Sequence, residues 1–376
     1  MVAYYFATHL LIPKVIYKVS NFMTNKEIFN QDIDSIVNAI DQEAPNFAGK
    51  TILMSGGAGF LGNYLVSALL KLNDVLLKNQ PCKVIVMDNF ITGSSLSENL
   101  KENPNFEFIE HDVRKPIPEN IKADFLIHAA GLASPYYYRK FPLETIEVAV
   151  NGTQNFLEFA KRIKAKSMLY FSSSEVYGDP DPNFIPTPET YWGNVSQIGP
   201  RACYDESKRL GETLCMTYYQ LYNVPIKIVR PFNVYGPGMK VNDYRVIPTF
   251  MVKAVKGEHL PVHDRGNQTR TFCYITDAIQ GFLKVLASDK NGEVYNVGKN
   301  NEEINMVGLA NIISGLANNK AQAQLIAYPE SYPAGEPQRR CPDLTKIKKE
   351  LGYNPAVSLK TGLTRTLAWY KNLLNE

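Results

Sequence analysis

The chain has 376 residues, 45% hydrophobic and 20% charged, a soluble globular composition long enough for one large domain with a lobe or for two domains. A net charge of +3, with the basic residues dispersed, excludes nucleic acid as the main ligand. Five cysteines, at positions 82, 203, 215, 273 and 341, are odd in number and lack metal-ligand spacing; this predicts reduced thiols in a cytoplasmic protein and no metal site.

Residues 1–48 precede the first strand signal. Val2 to Ile12 is apolar and aromatic, but it falls short of the roughly 20 residues that span a bilayer, and no basic stretch precedes it. A membrane span and a signal peptide are therefore not expected; an interfacial or subunit-contact role stays open, and Met23 is an alternative start. From Asn30 to Ile40 the spacing of Ile33, Ile36, Val37 and Ile40 predicts a short helix packed on the core or on a neighbouring subunit.

Thr51 to Met54 reads as a buried strand, and Gly56-Gly57-Ala58-Gly59-Phe60-Leu61-Gly62 follows before a helical run through Leu77. Glycines at 56, 59 and 62 let backbone approach a pyrophosphate at a helix N-terminus, a variant of the dinucleotide fingerprint. The next strand, Lys83 to Met87, ends in Asp88, where an acid holds ribose hydroxyls and would repel a 2′-phosphate. The cofactor expected is NAD. His111-Asp112-Val113 after the third strand either meets the adenine or only turns the chain. Phe125 to Gly131 ends a fourth strand in small residues that leave room for a nicotinamide ring; His128, inside it, reads as a core histidine.

Met168 to Phe171 is a further buried strand and delivers Ser172-Ser173-Ser174-Glu175 at its C-terminal end, where open parallel sheets place their ligands. Tyr204 and Lys208 stand four apart at the start of an amphipathic run through Leu210, Leu214, Tyr218 and Leu221. An ammonium one turn from a phenol lowers the phenol's pKa and suits it to act as a general base, and Ser173 can relay the proton of a carbinol. Strand-like segments at 51–55, 83–88, 106–110, 124–129, 167–172 and 226–230 alternate with helical runs. They predict an α/β fold, a Rossmann-type doubly wound parallel sheet, with a smaller C-terminal substrate-binding lobe. The NAD-binding domain is placed at 49–230, with about 271–297 returning to it, and the lobe at 231–376. Arg245, Arg270 and the Arg339-Arg340 pair lie on separate loops of that lobe, and such forks grip diphosphates and carboxylates.

Several of these segments resemble one family. Asp88-Asn89-Phe90-Ile91-Thr92-Gly93, Ala133-Ser134-Pro135, Ser174-Glu175-Val176-Tyr177-Gly178, Tyr191-Trp192-Gly193-Asn194 and Gly199-Pro200-Arg201-Ala202-Cys203-Tyr204-Asp205-Glu206 look like the UDP-glucuronic acid decarboxylases, of the extended short-chain dehydrogenase/reductase superfamily. The likeness continues through Gln268-Thr269-Arg270 and Pro337-Gln338-Arg339-Arg340, so it spans about residues 50–370. It implies a redox-neutral conversion of UDP-glucuronate to UDP-xylose through a 4-keto sugar on tightly held NAD. Ser173, Glu175, Tyr204, Lys208 and Arg340 would be catalytic. Gly56, Gly59, Phe60, Leu61, Gly62, Asp88, Asn89, Asp112, Val113, Tyr204 and Lys208 would hold the cofactor. Ser134, Tyr138, Asn233, Arg245, Arg270 and Arg340 would hold the substrate. The superfamily implies a homodimer formed through two helices flanking the sheet, one of them bearing Tyr204.

Related 4,6-dehydratases expel a hydroxyl with an Asp next to the Glu, and here Ser174 stands in that place. A 4-epimerase has no evident need of Glu175 or of the arginine loop. An oxidative variant that releases a 4-keto pentose and NADH stays open, and a non-catalytic dinucleotide sensor would usually lack Tyr204 or Lys208. Ser94-Ser95, His263-Asp264-Arg265-Gly266, Gly238 and Tyr244 replace, in turn, the family's Arg-Lys, Tyr-Gly-Asp-Gly, Arg and Gly. The 263–266 change lies where the family meets its nucleotide and leaves the base open.

Overall fold

The computed structural model describes residues 23–93, 98–318, 322–328 and 336–375, and its frame is a seven-stranded sheet. From edge to edge the strands are Glu293–Val297, Ile226–Pro231, Ser167–Phe171, Phe125–His128, Thr51–Ser55, Lys83–Asp88 and Phe106–Glu110. Every neighbouring pair is parallel. The strand sequences are almost continuously apolar because both faces are covered. Ile52, Met54, Val84 and Val86 enter one apolar layer, while Leu53, Ile85 and Met87 enter the other. The chain steps from Thr51–Ser55 outward to Phe106–Glu110, then returns to Phe125–His128 on the other side of its first strand. A crevice therefore opens beyond the carboxyl ends of the strands at this reversal.

The N-terminal helix runs from Asn25 to Ala39, starting ahead of the apolar spacing because Thr24 caps it. The Thr24 N–H donates to Glu27 Oε2 at 2.7 Å, and the Glu27 N–H donates back to Thr24 Oγ1 at 3.3 Å. Ile33, Ile36, Val37 and Ile40 are buried in this chain's own core, against helices Phe60–Val75, Ile275–Ala287 and Leu359–Asn375. Asp32 lies on the same face and pairs with Arg365 Nη2 at 2.8 Å, with both side chains almost wholly buried. Val2 to Ile12 and Ser94-Ser95 lie outside the described residues.

Helix Ala202–Tyr222 corrects one expectation. Its inward face is Tyr204, Ser207, Lys208, Gly211, Cys215 and Tyr218, whereas Leu210 and Leu221 are 45% and 65% exposed. Of the apolar run read from the sequence, only Tyr218 is buried. Gly211 sets the register: a Cβ there would lie 2.0 Å from the Tyr170 hydroxyl, so the helix packs directly on strand Ser167–Phe171.

Candidate active site

A cavity of about 700 Å³ occupies the crevice. On one side is the glycine loop. Gly56 has φ +75°, and a Cβ on it would meet Ala130 N at 2.7 Å; one on Gly62 would meet Gly56 O at 2.2 Å. Only glycine permits so tight a turn, and it ends at Gly59, which begins helix Phe60–Val75 and leaves its N-terminal N–H groups toward the cavity. Gly56, Gly59, Phe60, Leu61 and Gly62 all line it, as do Asp88 and Asn89. Asp88 also pins the loop, accepting from Ala58 N at 3.0 Å and Phe90 N at 2.9 Å. These residues fit a dinucleotide, and NAD is the cofactor of this protein. Val113 stands in the cavity wall, but Asp112 does not. Its carboxylate is taken by Arg114, with contacts of 2.6–3.0 Å that hold it below the usual carboxylate range. His128 is the buried core histidine expected, hydrogen-bonded through Nδ1 to Ser55 Oγ at 2.7 Å.

Strand Ser167–Phe171 ends in Ser172 to Glu175, and helix Ala202–Tyr222 sets Tyr204 and Lys208 beside it; Ser173, Glu175, Tyr204 and Lys208 all line the cavity. Lys208 Nζ donates to Phe171 O at 2.7 Å and sits 5.9 Å from the Tyr204 ring centre. Burial pushes the Tyr204 hydroxyl up to about 12, against a hydrogen bond with Ser173, and the charges of Glu175 and Asp205 act with burial. Lys208 is committed to the strand carbonyl, and burial lowers it to about 8. Behind the serines, Ser172 Oγ donates to Glu212 at 2.5 Å, Glu212 pairs with Arg230 at 2.6 Å, and Arg230 donates to the Tyr177 hydroxyl at 2.7 Å. This buried chain ties the serine loop to two neighbouring elements.

Glu175 is held between two arginines. Arg340 reaches it in a fork, Nη1 to Oε1 at 2.8 Å and Nη2 to Oε2 at 2.7 Å, and Arg201 donates to Oε2. Burial raises the Glu175 carboxyl, but the two guanidinium charges outweigh it and hold the group at about 2. The remaining expected substrate contacts share this wall: Ser134, Tyr138, Asn233, Arg245 and Arg270 line the same cavity. Each of these arginines has an acidic partner that the sequence did not disclose. Arg245 Nη2 bonds Asp243 at 2.7 Å, Arg270 Nη2 bonds Glu336 at 3.2 Å, and Ser134 Oγ donates to Asp243 O at 2.7 Å. Arg339 turns away to Glu303. Arg201 and Asp205 were also missed, although their four-residue spacing at a helix start was a legible signal. Tyr244 takes φ +65° where the resembled family has glycine, and it stacks on Tyr136 with ring centres 4.3 Å apart. At the far end, Pro261, Val262 and His263 line the cavity, with the His263 ring 5.0 Å from that of Tyr328.

A glycine cradle at the strand reversal and a Ser-Tyr-Lys group over the same cavity define a class. Residues 52–298 match the model of the NAD dependent epimerase/dehydratase family, and the chain belongs to it. Among its relatives there are decarboxylases: it is 44% identical over 315 residues to UDP-glucuronic acid decarboxylase 5 of Arabidopsis thaliana, covering 83% of this chain and 86% of that one. It is 39% identical to UDP-glucuronic acid decarboxylase 1 of Xenopus tropicalis, covering 87% and 73%. Among solved structures, UDP-glucuronic acid 4-epimerase from Bacillus cereus in complex with UDP-glucuronic acid and NAD superposes with a TM-score of 0.70 at 28% identity, covering 86% of this chain and 99% of that one.

Proposed function

We propose that the protein decarboxylates UDP-glucuronic acid to UDP-xylose through a 4-keto sugar, with no net redox change. The observation that carries this reading is the cavity-facing Glu175 between Arg201 and Arg340, beside Ser174, where a dehydratase would need an acid. A guanidinium pair at that point suits a substrate carboxylate. NAD, when bound, supplies the hydride acceptor and donor. Tyr204, linked to Ser173, takes the proton of the 4-hydroxyl in its ionised form and later returns it. Lys208 offers its remaining N–H groups to the cofactor ribose. Arg340 holds the sugar carboxylate next to the new ketone, and Glu175 sets the orientation of both arginines. Carbon dioxide then leaves because its bonding electrons pass into an enolate stabilised by the C4 ketone, and a proton at C5 completes the pentose.

Two finer points belong to the same reading. A homodimer is supported by the apolar face that helices Pro142–Glu147 and Ala202–Tyr222, packed side by side, leave outward through Leu143, Ile146, Leu210 and Leu221. A cytoplasmic location is supported by the five unpaired cysteines, and no helix of the described residues is long and apolar enough to cross a membrane. The function is tested by a proton NMR time course with NAD+ and UDP-glucuronic acid, followed in parallel at 340 nm. UDP-xylose without net NADH is expected; a 4-keto pentose with stoichiometric NADH would mean the oxidative variant, and an unchanged spectrum would overturn the substrate.

A further inference from the structure

Asp205 is a second carboxylate in the arginine cluster, and the mechanism above does not use it. It is buried, and its Oδ2 reaches Arg201 Nε only at 3.5 Å. Three polar atoms of this cluster are buried with no hydrogen-bond partner among the described residues: Asp205 Oδ1, Arg340 Nε and the Tyr138 hydroxyl. An ionised carboxylate so poorly solvated is costly, whereas a protonated one is not. The charges acting on it come from several packed elements. Glu175 lies on the loop after strand Ser167–Phe171, Arg201 at the start of helix Ala202–Tyr222, Arg340 on the short strand Arg339–Arg340 and Tyr138 on helix Pro135–Lys140, while Tyr204 and Cys203 are its neighbours in sequence. Without substrate, Arg201 and Arg340 balance Glu175 and an ionised Asp205. A sugar carboxylate entering beside Arg340 brings one negative charge too many.

We propose that Asp205 takes up a proton when the substrate carboxylate binds, so that the cluster remains neutral, and gives it up once that carboxylate has left as carbon dioxide. This rests on the decarboxylase reading. The balance closes. Loss of neutral carbon dioxide breaks the C5–C6 bond and leaves its electron pair on C5, and one proton forms the new C5–H bond. Each turnover therefore consumes one proton, and one proton enters the protein with each substrate. Asp205 acts through the arginines and is a positioning residue. Its carboxyl is suited to the exchange because burial and the Glu175 charge push it up to about 7, against Arg201 and Arg340.

The test measures protons at binding, with chemistry stopped. Tyr204→Phe holoenzyme is titrated with UDP-glucuronic acid by calorimetry near pH 8, in buffers of different ionisation enthalpy. The expected result is uptake of about one proton per site, and an affinity that falls about tenfold per pH unit above neutrality, because a proton must be gained for binding. UDP-xylose, which lacks the carboxylate, should bind with no uptake. Asp205→Asn in the same background should bind UDP-glucuronic acid without uptake and with a flat pH dependence. Binding of UDP-glucuronic acid with equal heats in all buffers would overturn the inference and leave the substrate reading standing; so would equal uptake with UDP-xylose, a measurement that does not depend on the asparagine variant folding. No binding heat at all would overturn the substrate reading and the inference with it.

Discussion

Replacing Glu175 with glutamine keeps the side chain's shape and removes the charge that Arg201 and Arg340 share. The rate of UDP-xylose formation should fall by about 10²–10⁴-fold, the scale of positioned acid-base groups, with NAD content unchanged. An unaltered NMR time course would remove Glu175 from the mechanism. Tyr204→Phe should abolish turnover while the purified protein still carries NAD, read from the absorbance of released cofactor. Lys208 makes a prediction in pH. Its ammonium is present below about 8 and is lost as pH rises through that value, since burial favours the neutral amine. The kcat of the saturated enzyme should therefore decline above about 8, and a kcat that stays level to pH 10 would show that the charge is not required. These side chains were legible because a Tyr and a Lys four apart, and a Ser-Glu loop after an apolar strand, are local patterns. Asp243, Glu336 and the Arg201–Asp205 pair were not read as site residues. An arginine in sequence shows no partner, and the partner here is often distant in the chain, as Glu336 is from Arg270.

At the scale of elements, the helix Asn25–Ala39 is joined to Leu359–Asn375 by the buried Asp32–Arg365 pair, to which Tyr274 and Tyr64 also donate hydrogen bonds. Asp32→Ala leaves a buried guanidinium without its carboxylate. It should cost about 3–5 kcal/mol, read as a lower urea midpoint, and a loss under 1 kcal/mol would mean that Arg365 finds water instead. The existence of this helix was readable from period alone, but its start was set by the Thr24–Glu27 cap ahead of the apolar run. Helix Ala202–Tyr222 shows where period misleads. Its leucines trace an apolar run, yet the face turned inward is chosen by Gly211 against Tyr170 and by the burial of Tyr204 and Lys208.

For the whole molecule, those outward leucines carry the proposed dimer. If they form the dimer contact, the double change Leu210→Glu and Leu221→Glu should halve the molar mass measured by light scattering while leaving the fold's circular dichroism intact. A wild-type protein that is already monomeric at micromolar concentration would sink the dimer. The sequence by itself determined the alternation of strands and helices, the glycine turn and the Tyr-Lys pair, because each depends on backbone sterics or on spacing within one element. Only the tertiary structure decided that Arg340 meets Glu175 and that Asp205 is buried beside them. It also decided that the Asp112 carboxylate is taken by Arg114 and that Tyr204 is buried against Ser173. Those outcomes depend on which charges share a desolvated space, and that is settled when distant segments pack.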